Sequence, residues 1–324
     1  MIKKILILLI ITGAIFYGYQ SIYQPTSDKD DLKIFNIERG SSVKKIAQDL
    51  EDEEIIKSSN LFLFYSLLTN NRNMQAGEYL LSPQMNIPQI VKIIVGGEIN
   101  EEKITIIEGW DLNDIASYLE KKGISTKEEF FSVAGDPRNK DSKEGYIFPD
   151  TYNITSKDTA ETIVQKALLN FEQKITTELK KEIERQGKTI EEIIIMASII
   201  EKEVKTQEDK KNVSDVLWKR INANMPLQSC ATVLYALGEK KFTVSTADTK
   251  IDSPYNTYKY RGLPIGPIAN PGIDSILAAI YPTKNNYWYY LSSPEGKTYF
   301  STTLDEHNYK KNLYLRWFFA LKRS

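Results

Sequence analysis

The string Glu144-Gly145-Tyr146-Ile147-Phe148-Pro149-Asp150 sets a carboxylate beside a glycine and three large apolar or aromatic side chains. Burial against such groups disfavours the ionised carboxyl and raises its pKa, as a general acid working near neutral pH requires. Gly145 permits a sharp turn, and Pro149 fixes the way out of it. Composition alone also fits an exposed loop glutamate, and the string by itself leaves that alternative open.

Few other residues compete for a chemical role. The 324 residues include one His and one Cys. Cys230 therefore excludes an internal disulfide and a Cys-rich zinc site, and His307 excludes two-His metal motifs. As a nucleophile Cys230 has no basic neighbour in sequence, and burial as a small hydrophobe is expected. His307 is expected to be a structural donor rather than a catalyst. Lys and Arg number 42 against 43 Asp and Glu, which provides no basic stripe for nucleic acid. Carboxylate chemistry, binding or structure remain.

The elements that must hold Glu144 are written twice. Ile37 to Leu50 aligns with Ile106 to Leu119 at an offset of 69, pairing Gly40 with Gly109 and Val43, Ile46, Ala47 and Leu50 with Leu112, Ile115, Ala116 and Leu119. Farther on the offset is 73, and Tyr79 to Ser82 meets Tyr152 to Thr155. Each copy reads as strand, glycine turn, amphipathic helix, helix, strand and helix. The change of offset gives the second copy four extra residues, and they fall where EGYIFPD stands. An insertion in a repeated frame is a place to graft a site, or a neutral loop; pattern alone does not choose. A strand, two helices and a strand in so short a span resembles the LysM module, a glycan-binding unit.

Farther along, Thr189 to Glu192 is a capping box that opens a strongly apolar helix through Val204. Ser198 and Glu201 share a face near its end, as a site pair or as part of a surface ion-pair run with Glu203. Ser253 to Gly272 holds four of the 12 prolines and three of the 16 glycines, with Tyr255, Tyr258 and Tyr260 interleaved. This reads as a stiff, ordered wall whose Asn256, Thr257 and Asn270 could bond sugar amides and hydroxyls, or as an inert connector. Two aromatic strands flanking Ser-Pro-Glu-Gly predict a hairpin before His307, and the closing LYLRWFFALKRS is amphipathic.

At the other end, Ile5 to Tyr19 is an apolar run without a charge, extended by Ile22 and Tyr23 and preceded by Lys3 and Lys4. Its length approaches the ~20 residues that cross a bilayer. The lysines place the N-terminus in the cytoplasm and everything after Pro25 outside. A cleaved signal peptide has the same charge pattern. The lack of a small-x-small site and the tyrosines at the end of the run favour a retained anchor.

The strings EGYIFPDTY, ASIIEKEV, MPLQSCATVLYALG and SPYNTY…GLPIGPIANPG, in this order and with the closing EHN, resemble the endolytic murein transglycosylase (YceG-like) family over nearly the whole chain. The resemblance implies an α+β fold: a single N-terminal transmembrane helix in residues 1–25, a LysM-like subdomain in 26–101, and a mixed α/β catalytic domain in 102–324, with 102–170 the second copy. It implies that Glu144 is catalytic. One acid would protonate the glycosidic oxygen between N-acetylmuramic acid and N-acetylglucosamine, then act as base on the muramoyl C6 hydroxyl, which closes on C1 as a 1,6-anhydro end. The nucleophile belongs to the substrate, so neither a second carboxylate nor an activated water is obligatory, and no metal or cofactor is expected. Tyr146, Asp150, Tyr152, Ser198, Glu201, Gln228, Ser229, Thr232, Tyr255, Asn256, Thr257 and Asn270 are the expected substrate-binding residues. Asp150 is also a candidate for a cap or turn bond. Cys230 and Ala231 depart from the family's Asp-Pro, which puts a carboxylate role there in doubt. Implied partners are peptidoglycan strands, the cell membrane and cell-wall synthases. The rivals are a non-catalytic murein-binding scaffold and a muramidase using Glu144 with Asp150.

Overall fold

The computed structural model describes residues 12–13, 16–27, 31–97, 102–139, 141–155, 158–239, 241, 244–293 and 295–314. Most of the apolar run at the N-terminus, and residues 315–324 of the closing segment, lie outside these. Residues 16–23 are helical. No helix among the described residues is long and apolar enough to cross a membrane. The fold is α+β, with small two-stranded sheets among many helices. The chain forms two compact units, residues 1–104 with 153–158, and residues 105–152 with 159–324.

In the first unit, β1 (Lys33–Ile37) pairs antiparallel with β2 (Gly77–Leu81), Lys33 opposite Leu81 and Ile37 opposite Gly77. Between them run α1 (Val43–Asp52) and α2 (Ser59–Leu68), and α3 (Ile87–Val95) follows. The spacing of Ile46, Ala47 and Leu50 gives α1 one buried face, and the Ser42 side chain caps it by accepting from Lys45 N. Asn86 and Gln89 close a capping box on α3. Phe35, Phe62, Leu81 and Ile90 fill the core.

The same order recurs as β3 (Glu102–Thr105), α4 (Leu112–Lys121), α5 (Lys127–Ala134), β4 (Thr151–Ile154) and α6 (Ala160–Lys174). β3 and β4 pair with each other. Gly40 and Gly109, which precede α1 and α4, have φ of 86° and 80°, a region open to glycine at little cost.

The second unit continues with α7 (Thr177–Arg185), α8 (Ile190–Glu203), α9 (Gln207–Asn222), α10 (Cys230–Leu237) and α11 (Ile273–Ile280). The hairpin β5 (Tyr289–Ser292) and β6 (Thr298–Ser301) and then α12 (Leu304–Tyr314) complete it. Ile193 to Ile200 of α8 are all buried, as an apolar helix without a polar face must be. Lys210 of α9 and Glu201 of α8 form an ion pair at 3.1 Å, both nearly inaccessible. Glu201 also accepts from Ser275 Oγ at 2.6 Å and Gly272 N at 3.1 Å. These bonds tie α8, α9 and the start of α11 together.

Candidate active site

Glu144 belongs to the loop between α5 and β4, and it is buried, with 2% of its surface exposed. Gly145 has φ +85°, and a Cβ there would sit 2.6 Å from Pro267 Cγ and 2.7 Å from Ile194 Cγ2. Only glycine satisfies both the turn and this close approach, so the turn turns Glu144 inward against α4. Leu112, the first residue of α4, has one of the amides that a helix start leaves unpaired, and it donates to Glu144 Oε2 at 3.1 Å. Asn270 Nδ2 donates to Oε1 at 3.1 Å. Tyr235 Oη of α10 lies 3.1 Å from Oε2 and 2.8 Å from Pro137 O.

Two opposing effects set the charge of this carboxyl. A helix N-terminus favours an anion by up to about 2 kcal/mol. Full burial disfavours one by up to about 4–7 kcal/mol. Burial wins, and the Glu144 pKa is pushed up to about 8, with the Leu112 amide opposing and nearby Asp111 adding to the rise. The protonated acid also suits its surroundings. Tyr235 has one proton to give, so with that proton on Pro137 O its oxygen can accept the Glu144 proton.

Asp111, Asp114, Arg138, Glu203, Cys230 and Tyr235 are among the residues lining a cleft of about 900 Å³. Glu144 lies just behind this wall, bonded to Tyr235 and next to Asp111. Glu203 is a second acid there, accepting a very short bond from Ser229 Oγ. Burial raises its carboxyl too, against the Ser229 and Tyr290 hydroxyls and the charge of Arg220.

The sequence pattern of the YceG-like family matches residues 35–312. The chain belongs to the YceG-like family. It is 36% identical over 329 residues to a Bacillus subtilis protein named endolytic murein transglycosylase, covering 95% of this chain and 91% of that one. A Streptococcus pneumoniae protein of the same name is 29% identical, and the chain spans 63% of its length. The crystal structure of a yceG-like protein from Listeria monocytogenes matches with a TM-score of 0.61 and 36% identity, over 87% of this chain and all of that one.

Among the site residues expected for a YceG-like chain, the fold brings Asn270 onto Glu144 itself. Its amide also spans Ile147 N at 3.0 Å and Trp110 O at 3.0 Å, so it orients the acid rather than facing the cleft. Asn256 is fully buried, donating to Thr249 O and Ile251 O and accepting from Tyr258 N. Thr257 Oγ1 joins Ser229 N and Thr232 Oγ1. These residues brace the wall from inside. Ser198 does likewise, its hydroxyl between Ile195 O and Ile268 N.

Glu201 is committed to Lys210, and Tyr146 packs edge-on against Phe171. Tyr255 is buried against the ring of Tyr235. Asp150 accepts from Thr151 N and Asn170 Nδ2, and Asn170 also reaches the Tyr152 hydroxyl. Gln228 is exposed with φ 53°, its backbone N–H donating to Thr257 O. Cys230 departs from the expected burial. It opens α10 exposed at the cleft, with Sγ 3.1 Å from Tyr258 Oη. His307 stacks on Tyr289 in the C-terminal hairpin region.

Sequence reading passed over Tyr235 and the Leu112 amide. A signal for the second was present, because the repeat aligns Leu112 with Val43 at a helix start, where amides lack partners.

Proposed function

We propose that the chain is an endolytic peptidoglycan lytic transglycosylase that cuts nascent glycan strands between N-acetylmuramic acid and N-acetylglucosamine, ending their elongation. One observation carries this reading: a carboxyl sealed from solvent directly behind the wall of a cleft, where burial pushes its pKa up to about 8. The names of the relatives from Bacillus subtilis and Streptococcus pneumoniae support the substrate class.

Glu144 gives its proton to the glycosidic oxygen as the bond to C1 breaks. The carboxylate left behind is stabilised by the Leu112 amide, the Asn270 amide group and the Tyr235 hydroxyl, which can turn its proton from Pro137 O to Oε2. It then takes the proton of the muramoyl C6 hydroxyl while O6 closes on C1, giving the 1,6-anhydro end and restoring the acid. Glu144 is 2% exposed, so the wall in front of it must open when the strand enters while the Tyr235 hydroxyl keeps its reach to Oε2. The hydrolytic alternative with Asp150 fares worse, because both oxygens of Asp150 are engaged by Thr151 and Asn170.

The apolar run behind Lys3 and Lys4 supports an anchored chain with its N-terminus in the cytoplasm and both units outside the cell membrane. The first unit would serve as a LysM-like holder of glycan, and cell-wall synthases would work beside it.

Mass analysis of products from purified murein tests the reaction. Wild type is expected to release anhydromuramoyl ends, and Glu144→Gln to bind strands and release none. Reducing muramoyl ends from wild type, or turnover by Glu144→Gln, would overturn it.

A further inference from the structure

The helix α2, SNLFLFYSLL, carries no charged residue. Its buried positions are Ser59, Phe62 and Ser66, while Phe64, Leu67 and Leu68 are 56%, 52% and 72% exposed. At 100° per residue, Leu67, Phe64, Leu68 and half-buried Leu61 fall on one stripe, with Tyr65 at its margin. α1 in the same unit does the reverse, burying Ile46, Ala47 and Leu50 and exposing Lys44, Lys45 and Gln48. Isolated apolar residues on a surface need no explanation, but a contiguous stripe on an uncharged helix marks a contact.

The chain enters the unit beside this stripe. Ile22 is buried in the unit's core. The Tyr23 ring meets the Tyr65 ring edge-on at 6.4 Å. Asn86 Nδ2 donates to Tyr23 O at 3.3 Å, Lys57 Nζ to Pro25 O at 2.8 Å, and Thr26 N to Pro83 O at 2.8 Å. The end of the apolar run is thus fastened to the unit at the margin of α2. Phe16, Tyr17 and Tyr19, one to two helical turns before it, are exposed, and tyrosines at such positions favour the headgroup level of a bilayer. From Tyr23 back to Phe16 a helix rises about 10 Å.

We propose that the Leu67–Phe64–Leu68 face of α2 lies in the headgroup layer of the membrane that holds the N-terminal run, so that the first unit rests on the lipid surface instead of swinging on a tether. The proposal depends on the anchor reading above. A lipid surface is the occupant because the segment leading into the membrane is packed against the same helix, and because an uncharged stripe edged by tyrosines suits the interface.

The full chain with Cys230→Ser, reconstituted in phosphatidylglycerol–phosphatidylethanolamine vesicles, carries an environment-sensitive fluorophore on a cysteine placed at position 64, 68 or 44. Phe64 and Leu68 are exposed, so these replacements leave the core intact. Labels at 64 and 68 are expected to shift to shorter wavelength and to lose most of their emission to lipids spin-labelled near the headgroup, while the label at 44 keeps its emission in water. Vesicle-bound protein whose 64 and 68 labels behave like the one at 44 would overturn the proposal and leave the anchor standing. A shift to shorter wavelength without quenching by lipid would assign the face to a protein contact and overturn it as well. Protein that does not float with vesicles would overturn the anchor and this proposal together.

Discussion

Tyr235 decides how Glu144 passes between its two protonation states. Its hydroxyl has one proton and two acceptors within reach, Pro137 O at 2.8 Å and Glu144 Oε2 at 3.1 Å. It therefore accepts from the acid and donates to the carboxylate, and the second bond favours ionisation. Because Glu144 must be protonated to start the reaction and its pKa is about 8, kcat/KM should hold through neutral pH and fall as pH rises through about 8. Tyr235→Phe removes a bond that stabilises the carboxylate, so the limb should move to higher pH and kcat should drop by about tenfold, equivalent to ~1.4 kcal/mol. A pH–rate series on both proteins checks this. An unmoved limb would make Tyr235 a packing residue only. Asn270 and Tyr235 lie 126 and 91 residues from Glu144 in sequence. That separation is why the motif around Glu144 is legible in the sequence and its partners are not; the sequence around Asn270 points to sugar binding instead.

At the scale of elements, the Glu201–Lys210 pair shows how a polar group in an apolar helix can serve the frame. Glu201 takes four bonds, two from Lys210 Nζ and one each from Ser275 Oγ and Gly272 N. Removing one member of a buried pair strands the other charge, at a cost of ~3–5 kcal/mol. Lys210→Met should therefore lower stability by that amount in denaturant titrations, while the alkaline limb of the pH–rate profile stays at about 8. A shifted limb at unchanged stability would place Glu201 in the reaction. Periodicity made the helices legible, including the repeated pairs and the buried run of α8, because the direction of a helical side chain follows from its position. The loop from Ser253 to Gly272 has no such rule. Its prolines and tyrosines announced order, but whether Asn256 and Thr257 point to a ligand or inward depends on backbone turns that composition does not encode. Cys230 fails for the same reason: as the first residue of α10, it lies where helical phase has not begun to dictate burial.

For the whole molecule, the two units have separate cores. Phe35, Phe62, Leu81 and Ile90 belong to one, and Phe148, Ile199, Val213 and Ile276 to the other. Each core is closed by its own helices, so each unit should have its own unfolding transition, and one free energy of unfolding would not describe the chain. Ile90 and Ile199 are both fully buried. Shortening either to valine should cost ~0.5–1.5 kcal/mol, for the lost methylene and the small void it leaves. In the first unit, which is the size of a small domain, each kcal/mol is worth about 4–8 °C. Calorimetry on Ile90→Val should show one transition lowered by roughly that much and the other unmoved, and Ile199→Val should lower the other. The consequence extends to the chemistry. Among the described residues, every hydrogen bond to Glu144 comes from the second unit, so Ile90→Val should leave the alkaline limb at about 8 even at temperatures where the first unit has begun to open. Transitions that move together in both variants would mean that the units fold as one, and that the duplicated frame is held by the site it carries.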